Sequence, residues 1–108
     1  MSKLVRDRIP DLIRTKGEAP VTRVLEAAEY EQALRAKLEE EVREYLQDRA
    51  PEELADVLEV LHALAALHTL TPDDLETLRI RKAAERGGFA GRVWLEGELE
   101  DSQQPNAR

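Results

Sequence analysis

The pattern of apolar and polar positions divides the chain into a central helical pair with shorter flanking elements. Apolar side chains recur every three to four positions over residues 28–47 and again over residues 51–68, which predicts two long amphipathic helices. The break at residues 48–51 ends in Pro51, a residue suited to the first turn of a helix. Because the connection is short, we expect the two helices to pack antiparallel.

The flanks predict two further helices and two β-prone segments. Pro10 begins a short helix over residues 10–14, and Thr71 caps a helix that starts at Pro72 and runs to Arg86. Residues 21–25 alternate in polarity and, with residues 92–96, are able to pair as a short two-stranded β ribbon. The fold class is therefore mainly all-α: a helical bundle built around an antiparallel hairpin.

Composition narrows the class of protein. A chain of 108 residues predicts one domain, which we place at residues 1–97, followed by a polar tail at 98–108 that we expect to be disordered. The absence of cysteine excludes disulfides and thiolate sites. No signal peptide and no run of membrane-spanning length are visible, so we expect a cytoplasmic protein with no membrane partner. The net charge of −7 argues against a nucleic acid polymer as partner.

Four carboxylates stand out because they form two pairs, each one helical turn apart, and two of the four lie where a plain amphipathic helix would not place them. Glu41 falls at the edge of the apolar arc of the first long helix, and Glu44 lies just beyond it. Glu53 falls inside the apolar face of the second, and Asp56 on its margin. An ionised carboxylate in such a place is costly unless it is paired or binds a metal. Across a hairpin these side chains predict a pocket for a hard divalent cation, near the turn.

The alternative is an ordinary solvated helix face, in which acidic side chains pair with bases one turn away. Glu39, Glu52 and Glu59 fit that description. The regional charge is compatible with either reading: residues 26–59 hold twelve acidic and four basic side chains, and both flanks are basic. An acidic centre with basic flanks suits a metal–polyphosphate ligand, but the opposite charges could equally pair across the fold.

The sequence resembles the all-α nucleoside triphosphate pyrophosphohydrolase superfamily, the MazG-like enzymes. The signature of that superfamily, Glu-Glu-x-x-Glu followed by Glu-x-x-Asp, is matched by Glu40–Glu44 and Glu53–Asp56. The Lys-Leu-Val-Arg-Asp start at residues 3–7 and the Arg-Gly-Gly-Phe segment at residues 86–89 are similar to a small single-domain branch. The eight residues between Glu44 and Glu53 make a short spacer, which leaves little room for a base-binding element.

The resemblance implies an enzyme that cleaves a nucleoside triphosphate to the monophosphate and pyrophosphate, in nucleotide-pool house-cleaning. It implies Mg²⁺, or Mn²⁺, held by Glu41, Glu44, Glu53 and Asp56. It assigns Glu40 and Glu41 to the catalytic centre, with Glu40 as a secondary ligand or as the base that orients the attacking water.

Basic and glycine residues near both ends are candidates for binding the substrate. We expect phosphate to be bound by Lys3, Arg6, Lys82 and Arg86, with backbone N–H groups of Gly87 and Gly88. A plain helix C-cap explains the two glycines equally well. Asp7 either bonds to base or ribose or only pairs with Arg8.

The sequence is compatible with two other functions. Phosphoribosyl-ATP pyrophosphohydrolase of histidine biosynthesis belongs to the same superfamily and would use the same metal site. A non-catalytic helical dimer or regulatory module would need no metal at all. The wide apolar face of residues 54–67 exceeds what one hairpin covers, so we expect a homodimer or a dimer of dimers, with basic segments acting partly in trans.

Overall fold

A computed structural model describes residues 2–99 of the chain, and over this range every regular element is an α-helix. The helices are α1 (Ile9–Thr15), α2 (Ala27–Asp48), α3 (Pro51–Leu67) and α4 (Pro72–Arg86). The predicted all-α class is therefore confirmed for the described part of the chain, and the helix bounds lie within a residue or two of those expected. The predicted disordered tail at 98–108 falls almost wholly outside the described residues.

The centre of the fold is the hairpin of α2 and α3, which pack along each other. Only Arg49 and Ala50 connect them, so the two helices run antiparallel. Arg49 ends α2 in the left-handed conformation, with φ of 57°, and its N–H donates to the Tyr45 carbonyl at 2.7 Å. Pro51 then opens α3 with its fixed φ, as the sequence predicts. This tight reversal brings the end of α2 beside the start of α3.

The start of α4 shows the predicted cap in full. Thr71 Oγ1 accepts a hydrogen bond from the Asp74 N–H at 3.1 Å, and Asp74 Oδ2 accepts one from the Thr71 N–H at 3.0 Å. This reciprocal capping box satisfies two backbone donors that a helix start otherwise leaves unpaired. Its presence explains why α4 begins sharply at Pro72 despite little packing around it.

The predicted β ribbon is absent from the described chain. Residues 21–25 and 92–96 are both irregular, and neither segment is a strand. Val24 is 94% exposed and Trp94 is 82% exposed, so neither ribbon segment has a covered apolar face. Two strands alone are marginal in water without such a face, which is the physical reason that β propensity did not suffice here.

A four-helix bundle does not form within the described chain. Among the four described helices, α4 packs only against α3, and α1 packs against none of the others. The chain changes direction by 101° between α3 and α4, so α4 leaves the hairpin instead of lying along it. Across residues 2–99, no single helix is long and apolar enough to cross a membrane, whereas the bent α3–α4 pair meets that test by length and composition alone.

The hairpin has little core of its own. Within residues 2–99, only three apolar side chains are buried, namely Leu34, Val60 and Ala65. One side of the hairpin instead carries a row of exposed apolar side chains, here called the apolar face: Val42, Leu46, Leu54, Leu58 and Leu61. Successive residues of a helix are rotated by about 100°, which places the row on α2 and the row on α3 on the same side of the hairpin. The same rotation places Glu40 and Glu44 on the opposite side.

Candidate metal centre

Three carboxylates of α2 form a tight group, here called the carboxylate cluster. One oxygen each from Glu40, Glu41 and Glu44 lies within 4.8 Å of the other two. They meet because positions three and four apart share one helix face. Glu41 is the only buried charged residue among residues 2–99, and its side chain is 9% exposed. Its Oε2 atom is buried without any hydrogen-bond partner.

Lys37 enters this cluster from one turn earlier on α2. Its Nζ lies 3.0 Å from Glu40 Oε2 and 3.2 Å from Glu41 Oε1, and its side chain is only 16% exposed. Burial lowers the pKa of Lys37, but hydrogen bonds and charge from Glu40 and Glu41 outweigh it, so the net pKa shift is upward. Lys37 is not among the predicted site residues, although its spacing of three and four residues from two glutamates is the signal of such a contact.

The first turns of α3 bring the second carboxylate pair to the hairpin end. Glu53 and Asp56 are both half-buried, and Glu53 Oε1 is buried with no hydrogen-bond partner. Asp56 Oδ1 accepts a hydrogen bond from Arg6 Nη2 at 2.6 Å. The two α3 carboxylates lie outside the 4.8 Å group on α2. Arg6, predicted as a phosphate ligand, instead pairs with a predicted metal ligand.

The pKa of Glu44 shows that the cluster is electrostatically crowded. A hydrogen bond with Glu41 raises this pKa above its ordinary value, because such a bond forms only when one carboxyl keeps its proton. The negative charge of Glu41 adds to the rise, followed by burial and then by the charges of Glu40 and Glu53. The contribution of Glu53, which lies on the other helix, means that both halves of the predicted site act on the same carboxyl.

The pKa of Glu53 is also raised, first by burial and then by the charge of Asp48. A backbone hydrogen bond from Ala50 works against these effects, and Asp56 adds a smaller rise. Asp48 is thus a further carboxylate at this end of the hairpin that the motif did not single out. It ends α2, where the helix dipole makes a negative charge unfavourable.

The other predicted substrate residues lie on α4 and on the N-terminal segment. Lys82 and Arg86 are exposed on α4, which does not contact α2. The chain reaches α4 only after the end of α3 at Leu67. Leu67 lies eleven residues beyond Asp56, which is about 16 Å along the helix. Lys3 and Asp7 are exposed on the N-terminal segment that carries Arg6.

The two glycines after α4 behave mainly as a helix terminus. Gly87 is the C-cap residue with φ of 81°, and its N–H donates to the Ala83 carbonyl at 2.8 Å. That donor is therefore used within the end of the helix, as the C-cap alternative expects. Gly88 is exposed, and nothing lies near the position of a Cβ there.

The donor set fits a hard divalent cation. It consists of carboxylate oxygens alone, which Mg²⁺ and Mn²⁺ prefer. Within this set, Glu41 is buried and pairs with Lys37, and Glu53 is half-buried. A carboxylate removed from water is expensive unless its oxygens have positive or hydrogen-bonding partners. The unpartnered oxygens of Glu41 and Glu53 are the atoms that such a partner would engage.

Comparison with known proteins adds one relative. Over 44 residues, the chain is 61% identical to an uncharacterized protein of Mycolicibacterium smegmatis, a stretch covering 41% of this chain and 45% of that protein. The match thus spans less than half the length of the relative. No family model matches the chain, and no solved structure matches it.

Proposed function

We propose that the chain is a metal-dependent nucleoside triphosphate pyrophosphohydrolase of the all-α, MazG-like superfamily. The observation that carries the proposal is the orphaned carboxylate oxygen of Glu41, nine-tenths buried within a cluster of like charge. A purely structural hairpin has no use for such an atom, because a buried oxygen without a partner destabilises the fold even though Lys37 pairs with the other oxygen of Glu41. The unpartnered oxygen of Glu53 on the neighbouring helix supports the same reading.

In this proposal, Glu41, Glu44, Glu53 and Asp56 hold Mg²⁺ or Mn²⁺ between the two helices. The bound ion would supply Lewis-acid neutralisation of phosphate charge and a more acidic water. Glu40 is half-buried at the rim of the cluster, a position from which it can orient the attacking water or serve as an outer ligand. Phosphoryl chemistry needs mainly positioning and electrostatics, so this small set of residues is sufficient.

Phosphate binding is assigned to basic residues of the N-terminal segment and of α4. Arg6 is already beside Asp56, so release from that carboxylate would free its guanidinium for a phosphate. Lys3 lies on the same segment. Lys82 and Arg86 lie on α4, and in this chain they are remote from the cluster, which favours a role at the site of a second copy.

The partner proposed for the apolar face is a second copy of this chain. Three buried apolar side chains are too few to hold a four-helix protein together, whereas five exposed ones lie in a row on one side of the hairpin. Pairing two hairpins through this face would complete the expected bundle and leave the carboxylates of each hairpin accessible on the opposite side.

The reaction is tested by measuring release of pyrophosphate from a panel of substrates. The panel contains canonical, deoxy, oxidised and deaminated nucleoside triphosphates and phosphoribosyl-ATP, each with Mg²⁺, Mn²⁺ or EDTA. We expect metal-dependent release of pyrophosphate with a monophosphate product, abolished by EDTA. Preference for phosphoribosyl-ATP would move the assignment to histidine biosynthesis. No turnover of any substrate would favour the non-catalytic module.

The metal site itself is tested without turnover, through thermal stability. A cation that binds only the folded state at 100 times its Kd stabilises by about 2.7 kcal/mol. We expect Mn²⁺ to raise the Tm of the wild-type protein and to have little effect on Glu53→Gln. Glu59→Gln is the matched control, because Glu59 is exposed on the same helix. An equal response of Glu53→Gln and wild type would exclude Glu53 as a ligand.

A further inference from the structure

The ammonium group of Lys37 lies between two carboxylates of the carboxylate cluster. It bridges Glu40 and Glu41 at 3.0 and 3.2 Å from within α2, and its stem is largely buried. The other six ion pairs of residues 2–99 each involve at least one side chain exposed by about a third or more, so the Lys37–Glu41 pair is the most enclosed. Such a pair is costly to break on one side only.

We propose that Lys37 is a built-in counter-ion of the metal centre, which neutralises the cluster when no metal is bound and competes with the divalent cation for it. This inference rests on the proposed metal site. Glu41 has two carboxylate oxygens, of which Lys37 engages Oε1 and nothing engages Oε2. A cation bound at Oε2 would therefore lie within a few ångströms of the ammonium and be repelled by it.

The chemistry of lysine suits this role. Its charge sits at the end of a flexible four-carbon stem, so the head can swing toward solvent while the stem stays packed. The consequence for function is a site that stays folded without metal but binds the free ion weakly. Tight binding then requires a ligand that brings further negative charge, such as the metal complex of a polyphosphate.

The test compares Lys37→Met with wild type in two measurements. The first is the Kd for Mn²⁺ by calorimetry without nucleotide, for which we expect roughly tenfold tighter binding in the variant. The second is Tm with EDTA and with saturating Mn²⁺. We expect the variant to melt lower than wild type in EDTA, and the difference to vanish or reverse with Mn²⁺. A lysine that only packs would cost the same stability in both conditions.

Arg35→Met is the matched control, because Arg35 pairs with Glu31 on the same helix but outside the cluster. It should change neither the Kd nor the response of Tm to metal. If Lys37→Met folds poorly, Lys37→Gln keeps a polar head without the charge and should also bind Mn²⁺ more tightly.

The set of outcomes distinguishes failure of the counter-ion from failure of the metal site. Wild-type binding of Mn²⁺ with an unchanged or weaker Kd in Lys37→Met would overturn the counter-ion and leave the metal site standing. Binding by the variant alone would support both. Failure of wild type and both Lys37 variants to bind Mn²⁺ or Mg²⁺ would overturn both.

Discussion

Glu41 and Lys37 define the site at the scale of single residues. On one helix they stand four positions apart and form an ion pair at 3.2 Å, yet the second oxygen of Glu41 has no partner. The neighbouring Glu44 and Glu53 both have raised pKa values, because each carboxyl must ionise near others in partly desolvated surroundings. In the proposed metal centre, a divalent cation would relieve this repulsion among the carboxylates.

The raised pKa values predict how metal-free stability depends on pH. Above the ordinary value of 4.5, the unfolded chain loses its protons from Glu44 and Glu53 before the folded chain does. The folded state then binds more protons, so the free energy of unfolding contributed by these groups falls as pH rises through their raised pKa values. Their contribution is most favourable below pH 4.5.

Glu44→Gln should therefore flatten this dependence, because the amide mimics the protonated carboxyl at every pH. We expect urea unfolding in EDTA to show a smaller loss of stability as the pH rises above 4.5 in Glu44→Gln than in wild type. Glu59→Gln, on the exposed side of α3, should keep the wild-type slope. Identical slopes in all three proteins would mean that Glu44 has no raised pKa.

At the scale of elements, the helices differ in the contacts that stabilise them. α2 and α3 support each other along the hairpin, whereas α4 touches only α3. The start of α4 is instead secured by local hydrogen bonds between Thr71 and Asp74. Short helices gain little from propensity alone, so a cap matters more where packing is sparse.

Thr71→Ala should loosen α4 more than the rest of the chain. Loss of the capping oxygen is expected to cost about 1 kcal/mol, because the Asp74 N–H loses its partner. Hydrogen exchange should report faster exchange in the first turn of α4, with little change in the hairpin. Thr71→Ser keeps the oxygen and should behave as wild type. Equal exchange in the alanine and serine variants would contradict a stabilising cap.

At the scale of the whole molecule, the described chain is a hairpin with two unlike sides. One side carries the carboxylates and the other carries the apolar face, and few apolar side chains are buried between them. In the proposed function, the first side would bind the cation and the second would bind another copy of the chain. The remote position of Lys82 and Arg86 fits the same view, since a second chain could supply them.

Leu58→Glu is the corresponding prediction for association. Leu58 is 49% exposed in the middle of the apolar face, so a charge there should oppose burial against a second copy. We expect analytical ultracentrifugation to give twice the 12.3 kDa chain mass, or a multiple of it, for wild type and a shift toward monomer for Leu58→Glu. The control is Val21→Glu, which adds the same charge at a fully exposed loop position. A monomeric and fully helical wild type would contradict the dimer.

The sequence by itself determined the four helices and the grouping of Glu40, Glu41 and Glu44 on one helix, because helical periodicity, caps and prolines act within a few residues of each other. The pairing of Lys37 with Glu40 and Glu41 is local too and was within reach of the same reasoning. Only the tertiary structure decided what depends on distant packing. It paired Arg6 with Asp56 across 50 positions, turned α4 away from the hairpin and left the β-prone segments unpaired. These outcomes depend on which distant segments of the chain pack against one another, and the local sequence does not specify that.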